Sequence, residues 1–125
     1  QKRASNVGSP NKWDQSAGGH VDKGEDYATA ALRELKEEVG VSGVALTEVG
    51  KFYTEHSDDG VKMKRFNMLY SASYDGRVTA DPEEVSELKW ITPRNLELWM
   101  NDRPDEFTRS FLQSYQIYRS QATKD

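Results

Sequence analysis

The pattern of apolar and polar positions divides the chain into strands and helices that follow one another in interleaved order. Two stretches are typical of strands, residues 44–56 and 61–74, with a turn at 57–60 between them. Every second residue in the later part of the second stretch is apolar or aromatic, so these side chains share one face. They are Phe66, Met68, Tyr70, Ala72 and Tyr74. Shorter segments at 13–17 and 86–92 are also predicted to be strands.

Three further segments have the periodicity or the end signals of helices. The first runs from about Asp26 to Val39 and is followed by Gly40, the residue type that commonly ends a helix in the left-handed conformation. The second, residues 92–100, begins with a Thr-Pro pair, a typical helix start. The third, residues 104–120, has aromatic side chains at helical spacing. We therefore expect a mixed β-sheet covered by helices, an α/β architecture.

The first predicted helix carries three acids near its C-terminal end, Glu34, Glu37 and Glu38. At about 100° per residue they share one face of the helix. The helix dipole disfavours negative charge at this end, at a cost of roughly 0.3–1 kcal/mol per group. A divalent cation such as Mg²⁺ or Mn²⁺, which prefers hard oxygen ligands, would compensate for the repulsion. The alternative interpretation is a solvated acidic face with an ion pair between Arg33 and Glu37.

The helical wheel also predicts which side of this helix is buried. Its apolar side chains form a stripe beside the acids, and we expect this stripe to face the core. The stripe consists of Ala28, Leu32, Leu35 and Val39. The acids then lie at the edge of the buried side, where the small side chain of Ala30 leaves room.

Residues 19–41, here called the box segment, have the pattern G-x5-E-x7-R-E-U-x-E-E-x-G-U, where U is an apolar residue. This segment resembles the Nudix box at every fixed position. The resemblance implies a single Nudix domain over residues 1–125, with an α/β/α sandwich whose mixed β-sheet lies between helices. Since the chain opens without Met on residues that look like the end of a strand, we expect the domain's N-terminal strand to be missing from it.

The resemblance also implies which residues perform the chemistry. Glu34, Glu37 and Glu38 look like the metal-binding carboxylates, and the carbonyl of Gly18 resembles a further ligand to Mg²⁺, with Mn²⁺ as the alternative ion. Family members differ in the residue that acts as general base, so Glu38, Glu34 and a loop carboxylate are all candidates. In the loop we favour Glu84 over its neighbour, and an ordinary exposed acidic loop is the alternative interpretation.

Other residues of the site would support it or contact the substrate. Those expected to shape the box segment and hold its carboxylates are Gly19, Glu25, Arg33 and Gly40. Those proposed to contact the substrate are Arg3, His20 and Arg65. Each of these three has a simpler interpretation as a solvated surface residue.

The implied activity is Mg²⁺-dependent pyrophosphohydrolysis, which cleaves the diphosphate linkage of a nucleoside diphosphate derivative or a similar organic pyrophosphate. The stretches "KWDQSAGGHV" and "DPEEVSELKWITP" also resemble the isopentenyl-diphosphate isomerase branch of the superfamily. That branch protonates its substrate with a cysteine, and this chain contains no cysteine. A non-catalytic diphosphate-binding module is the third alternative, and the intact box argues against it.

Composition limits the partners that we expect. A net charge of −4 disfavours binding to the nucleic-acid backbone, and no apolar run is long enough to span a membrane. The absence of cysteine excludes disulfides, a thiolate nucleophile and cysteine-ligated metals. We therefore expect no nucleic acid and no membrane partner. The resemblance to the Nudix family implies a small-molecule diphosphate substrate, and we expect a cytoplasmic enzyme. The sequence leaves the oligomeric state open, with a homodimer as one option.

Overall fold

The computed structural model describes residues 1–18, 21–58 and 60–122 of the chain. Its elements, in chain order, are β1 (Lys2–Arg3), α1 (Tyr27–Val39), β2 (Thr47–Asp58), β3 (Val61–Ser71), β4 (Val85–Glu87), α2 (Pro93–Asp102) and α3 (Arg109–Ala122), with a 3₁₀ turn at Pro104–Glu106. Helices and antiparallel strands are combined in one chain, which confirms the predicted α/β fold. None of the described helices has both the length and the apolar character needed to span a membrane.

The strands of the described residues form two antiparallel pairs, β2 with β3 and β1 with β4, where a single mixed sheet was expected. The long hairpin β2–β3 confirms the two strongest strand predictions, and its register pairs Thr54 with Arg65. Of the predicted strand at 86–92, only residues 86 and 87 belong to β4, whose three residues pair with the two of β1. A ladder this short does not extend the hairpin into a continuous sheet.

The predicted strand at 13–17 is reduced to single bridges at Trp13, one to Lys2 and one to Phe107. The backbone N–H of Trp13 donates to the Glu106 carbonyl at 2.8 Å, and the carbonyl of Trp13 accepts from Thr108 N at 3.0 Å. Because Trp13 is bonded on two sides to segments far apart in the sequence, it joins the N-terminal segment to the start of α3 rather than extending a ladder.

Helix α1 has the ends that the sequence predicts. The Asp26 side chain accepts a hydrogen bond from Thr29 N at 2.7 Å, so it caps the first turn. Gly40 has φ 71° and ends the helix in the left-handed conformation, and its N–H donates to the Lys36 carbonyl at 3.0 Å. The loop before α1 and the turn after it are therefore fixed by local hydrogen bonds.

The two C-terminal helices confirm the remaining helix predictions, with one change in a boundary. The Thr92 side chain caps α2 by accepting from Asn95 N at 3.3 Å. The predicted helix at 104–120 begins only at Arg109, because Thr108 acts as its cap and accepts from Phe111 N at 3.1 Å. The residues before this cap form the 3₁₀ turn instead.

The buried side of α1 agrees with the predicted stripe only at Val39, since Ala28 and Leu32 of that stripe are exposed. The buried residues of this helix are Ala30, Glu38 and Val39, whereas Leu32 is exposed and Leu35 is half-buried. The helix is thus rotated so that the side bearing Ala30 and Glu38 faces the protein. The physical reason is that the N-terminal segment packs on this side and hydrogen-bonds to Glu38.

Candidate active site

Glu38 is the most buried acid of the site, with only 3% of its surface exposed. Its Oε1 accepts a hydrogen bond from Gln1 Nε2 at 3.0 Å, and its Oε2 accepts one from Gly18 N at 2.9 Å. Its backbone carbonyl also accepts from Asp81 N at 2.9 Å. Three segments of the chain therefore meet at this one glutamate near the end of α1.

Glu34, one turn earlier on α1, hydrogen-bonds to the Glu38 carboxyl. Burial raises the pKa of Glu38 to about 7, and the hydrogen bond and negative charge of Glu34 act in the same direction. The two donors, Gly18 N and Gln1 Nε2, oppose this rise because they stabilise the ionised form. In the absence of a cation, Glu38 is therefore protonated in about half of the molecules at pH 7.

Arg33 forms ion pairs with other carboxylates of the box segment. Its Nε and Nη2 donate to the two oxygens of Glu25 at 2.9 and 3.0 Å, a bidentate ion pair. Its Nη1 donates to Glu34 Oε1 at 2.8 Å and to Glu37 Oε2 at 3.4 Å, and Nη2 lies 3.4 Å from Asp22 Oδ2. The hydrogen bond from Arg33 lowers the pKa of Glu25, and its partners raise the pKa of Arg33 itself.

These contacts divide the three box glutamates into two environments. Glu34 and Glu38 contact one another on the protein-facing side of α1. The Glu37 side chain is 57% exposed and turns toward Arg33. The helical wheel predicted all three on one face, but in the structure Glu38 is buried, Glu34 is half-buried and Glu37 is exposed.

The oxygen chemistry of this region fits a divalent cation. Within the described ranges, no three His, Asp or Glu side chains lie close enough together to enclose a metal ion. Two contacting carboxylates are nonetheless present, and the amide oxygens of Gln1 and Gln15 are buried without a hydrogen-bond partner in the structure. Carboxylate and amide oxygens are hard donors, which Mg²⁺ and Mn²⁺ prefer, and the amide of Gln1 lies next to Glu38.

The loop carboxylate Glu84 lies in a turn that is attached to the end of α1. Thr79 N donates to the Val39 carbonyl at 2.9 Å, and Asp81 N donates to the Glu38 carbonyl at the same distance. The Glu84 carbonyl accepts from Ala4 N at 3.0 Å, and its side chain is exposed. The fold therefore brings the backbone of this turn to the site, while the Glu84 carboxylate extends into solvent.

The three proposed substrate contacts lie in different surroundings. The Arg3 guanidinium turns toward the loop before residue 14, where Nη1 lies 3.5 Å from Asp14 Oδ2 and Nε donates to the Gly8 carbonyl. Arg65 on β3 lines the main cleft of the protein. The remaining candidate, His20, lies outside the described residues, as does the neighbouring Gly19 of the box segment.

The main cleft, with a volume of about 1330 Å³, lies between α1, β3 and the segment before the box. Glu34, Arg65 and Gly18 are among its lining residues, so the cleft reaches Glu34, the acid that neighbours the buried Glu38. Two large aromatic side chains that line it are mostly exposed, Phe66 at 70% and Trp90 at 73%. The wall of the cleft thus includes both charged groups and exposed aromatic rings.

The sequence did not identify three residues that the fold brings to this region, Gln1, Gln15 and Trp90. Glutamine has no charge and belongs to no recognised spacing pattern here, so nothing local distinguishes Gln1 or Gln15 from other glutamines. Trp90 follows an apolar strand pattern, and such a position ordinarily indicates a core residue. The contacts of all three arise only from packing between distant segments.

Comparison with known proteins gives a consistent result. The family model of the NUDIX domain matches residues 1–111. An uncharacterized Nudix hydrolase of Yersinia pestis is 36% identical over 109 residues, covering 87% of the chain and 56% of the relative. The uncharacterized Nudix hydrolase YfcD of Escherichia coli K12 is 33% identical over 116 residues, covering 93% of the chain and 60% of YfcD. The chain therefore spans somewhat more than half the length of these curated relatives.

Proposed function

The chain belongs to the Nudix family, and from this membership we propose that it is a Mg²⁺-dependent pyrophosphohydrolase. Its proposed substrate is a nucleoside diphosphate derivative or a similar organic pyrophosphate, cleaved at the diphosphate linkage. The observation that carries the proposal is the contact between Glu34 and the buried Glu38 beside the main cleft. A small-molecule substrate and a cytoplasmic location are part of the same proposal.

The residues proposed to hold the cation are Glu34, Glu38, Glu37 and the Gly18 carbonyl. When bound, Mg²⁺ supplies positive charge that neutralises the phosphates and lowers the pKa of a water. Support for this assignment comes from the proximity of the Glu34 and Glu38 carboxyl groups. Arg33 already pairs with Glu34, and a cation bound by both acids would further reduce the repulsion between them. The exposed side chain of Glu37 could join the ligand set by leaving its 3.4 Å contact with Arg33.

Glu38 is the proposed general base. Gln1 and Gly18 hold its two oxygens, so its orientation is fixed before a proton reaches it. Glu84 is the alternative base, since its turn is bonded to the end of α1.

The cleft suggests how the rest of the substrate is accommodated. Arg65 lines it and carries the positive charge that a phosphate group attracts. Phe66 and Trp90 expose aromatic surface in the same cleft, which suits an apolar or aromatic group attached to the diphosphate. Arg3 is the weaker candidate for a phosphate contact, because its guanidinium is already bonded to Asp14 and Gly8.

The two alternatives are less well supported. An isopentenyl-diphosphate isomerase activity would require another acid in place of cysteine, which is absent from all 125 residues. A non-catalytic diphosphate-binding module would not need a buried carboxylate held by two donors. Neither alternative accounts for the intact box segment as well as hydrolysis does.

The proposal is tested by measuring phosphate and nucleotide release from a panel of nucleoside diphosphate derivatives and isopentenyl diphosphate, with and without Mg²⁺. We expect Mg²⁺-dependent cleavage of at least one compound, and a loss of roughly 10²- to 10⁴-fold in turnover for Glu38→Gln. Glu87→Gln, an exposed acid on β4, is the matched control and should leave turnover unchanged. Isomerised product, or full activity in Glu38→Gln, would contradict the proposal.

A further inference from the structure

Gln1 lies directly before β1, outside the box segment, and its side chain reaches the end of α1. Its Nε2 donates to Glu38 Oε1 at 3.0 Å and to the Ser16 carbonyl at 2.9 Å. Its backbone is fixed as well, because its N donates to the Asp14 carbonyl at 3.0 Å and its carbonyl accepts from Asp14 N at 2.7 Å. Both the main chain and the amide group of Gln1 are therefore held in place.

The hydrogen bonds determine which way the amide points. Nε2 has two acceptor oxygens as neighbours, and the reverse orientation would set Oε1 against both of them. In the observed orientation Oε1 is buried and accepts no hydrogen bond from the described residues. The two ends of the amide thus differ: one is bonded to Glu38, and the other remains available to a donor or a cation.

The effect on Glu38 is to restrict its carboxyl group from both sides. Gln1 bonds Oε1 and Gly18 bonds Oε2, so rotation of the group would break at least one of these bonds. The same carboxyl hydrogen-bonds to Glu34, the half-buried acid one turn earlier on α1. Outer partners that orient a ligand in this way typically change metal affinity or activity by roughly 10- to 100-fold.

We propose that Gln1 is a positioning residue of the active site, which holds Glu38 in the orientation that binds the divalent cation. This inference rests on the proposed function. It assigns a role to a residue outside the box segment, 37 positions away from the glutamate that it contacts. The competing explanation is a purely structural glutamine that joins β1 to α1.

The test compares two glutamines that undergo the same change. Gln1→Met removes the amide while keeping the length of the side chain. Gln113→Met is the matched control, because Gln113 also donates from Nε2 to a backbone carbonyl, that of Tyr53 at 2.9 Å, and does not line the main cleft. Affinity for Mn²⁺ is measured by calorimetry, together with kcat, KM and the melting temperature of the metal-free protein.

We expect Gln1→Met to bind Mn²⁺ about 10- to 100-fold more weakly and to lose a similar factor in kcat with little change in KM. Gln113→Met should retain the Mn²⁺ affinity of the unaltered protein. Gln1→Asn is the second variant, since its shorter side chain loses the contact with Glu38 but keeps an amide for water. It should show the same loss in a chain that remains folded.

A double-mutant cycle separates positioning from general stabilisation. If Gln1 acts through Glu38, Gln1→Met should cause no further loss of Mn²⁺ affinity when Glu38→Gln is already present. Equal Mn²⁺ affinity in Gln1→Met, Gln1→Asn and the unaltered protein would overturn the inference and leave the proposed function intact. Absence of Mn²⁺ binding and of hydrolysis in the unaltered protein would overturn both.

Discussion

Glu38 combines burial, two hydrogen-bond donors and a neighbouring acid, and its protonation is therefore coupled to folding. Burial raises its pKa to about 7 in the folded protein, well above the ordinary value of 4.5. A carboxyl group that binds its proton more tightly in the folded state stabilises the fold fully below about pH 4.5 and loses this contribution as the pH rises through 7. The full effect of such a shift is roughly 3 kcal/mol.

We therefore expect the melting temperature of the metal-free protein to fall between about pH 5 and about pH 8. In Glu38→Gln this part of the decrease should disappear, because the amide does not titrate. Thermal unfolding monitored by circular dichroism in the presence of a chelator measures both proteins. An identical pH dependence in the two would show that another group is responsible.

Arg33 connects four acidic side chains of the site, and its substitution should affect both stability and activity. Arg33→Ala leaves Glu25, Glu34 and Glu37 without the cation that separates their charges. We expect a lower melting temperature and a loss of roughly 10- to 100-fold in turnover. Arg33→Lys should recover only part of both, since a lysine cannot reproduce the bidentate contact with Glu25. Full recovery by lysine would show that charge alone matters.

At the scale of elements, the end of α1 depends on a glycine with a close neighbour. Gly40 has φ 71°, and a Cβ there would lie 3.3 Å from the Thr79 carbonyl oxygen. Gly43 has nearly the same conformation, φ 73°, with no atom within 4 Å of a Cβ. Alanine in the left-handed conformation costs roughly 1–2 kcal/mol of stability at either position. Only at Gly40 must a neighbouring group, the Thr79 carbonyl, also move.

Gly40→Ala should therefore destabilise the protein more than Gly43→Ala in urea unfolding. It should also lower turnover, because Thr79 and Asp81 hydrogen-bond to the carbonyls of Val39 and Glu38. Gly43→Ala should leave turnover unchanged. Equal losses of stability would mean that the contact with Thr79 relaxes at no cost.

The turn that carries Glu84 gives a second prediction at this scale. If Glu84 positions the attacking water or contacts the cation, Glu84→Gln should reduce kcat by roughly 10- to 1,000-fold with little effect on KM. The neighbouring Glu83→Gln is the control for local charge, since both side chains are exposed in the same turn. A large effect of Glu83→Gln alone would show that Glu83, and not Glu84, has this role. No effect for either would leave Glu38 as the base.

At the scale of the whole molecule, cation binding should stabilise the folded state. A ligand at 100 times its dissociation constant contributes about 2.7 kcal/mol, so Mg²⁺ or Mn²⁺ should raise the melting temperature in a concentration-dependent way. Replacement of Glu34, Glu37 and Glu38 together by Gln should abolish this rise and leave the fold intact. A rise of unchanged size in the triple variant would exclude these glutamates as the ligands.

Features that depend on residues close together in the sequence could be predicted from it. The cap at Asp26, the end at Gly40 and the proximity of Arg33 to Glu37 involve residues within one or two helical turns. Helical geometry fixes such relations once the helix forms. The β2–β3 hairpin could be predicted equally well, since its two strands are adjacent in sequence and have a clear alternating pattern.

The features that the sequence missed are decided by contacts between distant segments. The apolar stripe predicted that Leu32 faces the core, yet Glu38 is the buried residue. Packing of the N-terminal segment against α1 decided this, because hydrogen bonds from Gln1 and Gly18 offset part of the cost of burying a carboxylate. Two separate strand pairs replaced the expected mixed sheet for a similar reason, since joining them depends on partners far away in the chain.

By itself, the sequence determined the family, the α/β class and the spacing that brings Glu34 and Glu38 onto one face of α1. These follow from residue identity and from the geometry of a single helix. The tertiary structure alone decided that this face is buried, that Gln1 binds Glu38 and that Trp90 lines the main cleft. The physical reason is that burial, pKa and hydrogen-bond partners belong to the surroundings of a side chain, and distant parts of the chain supply those surroundings.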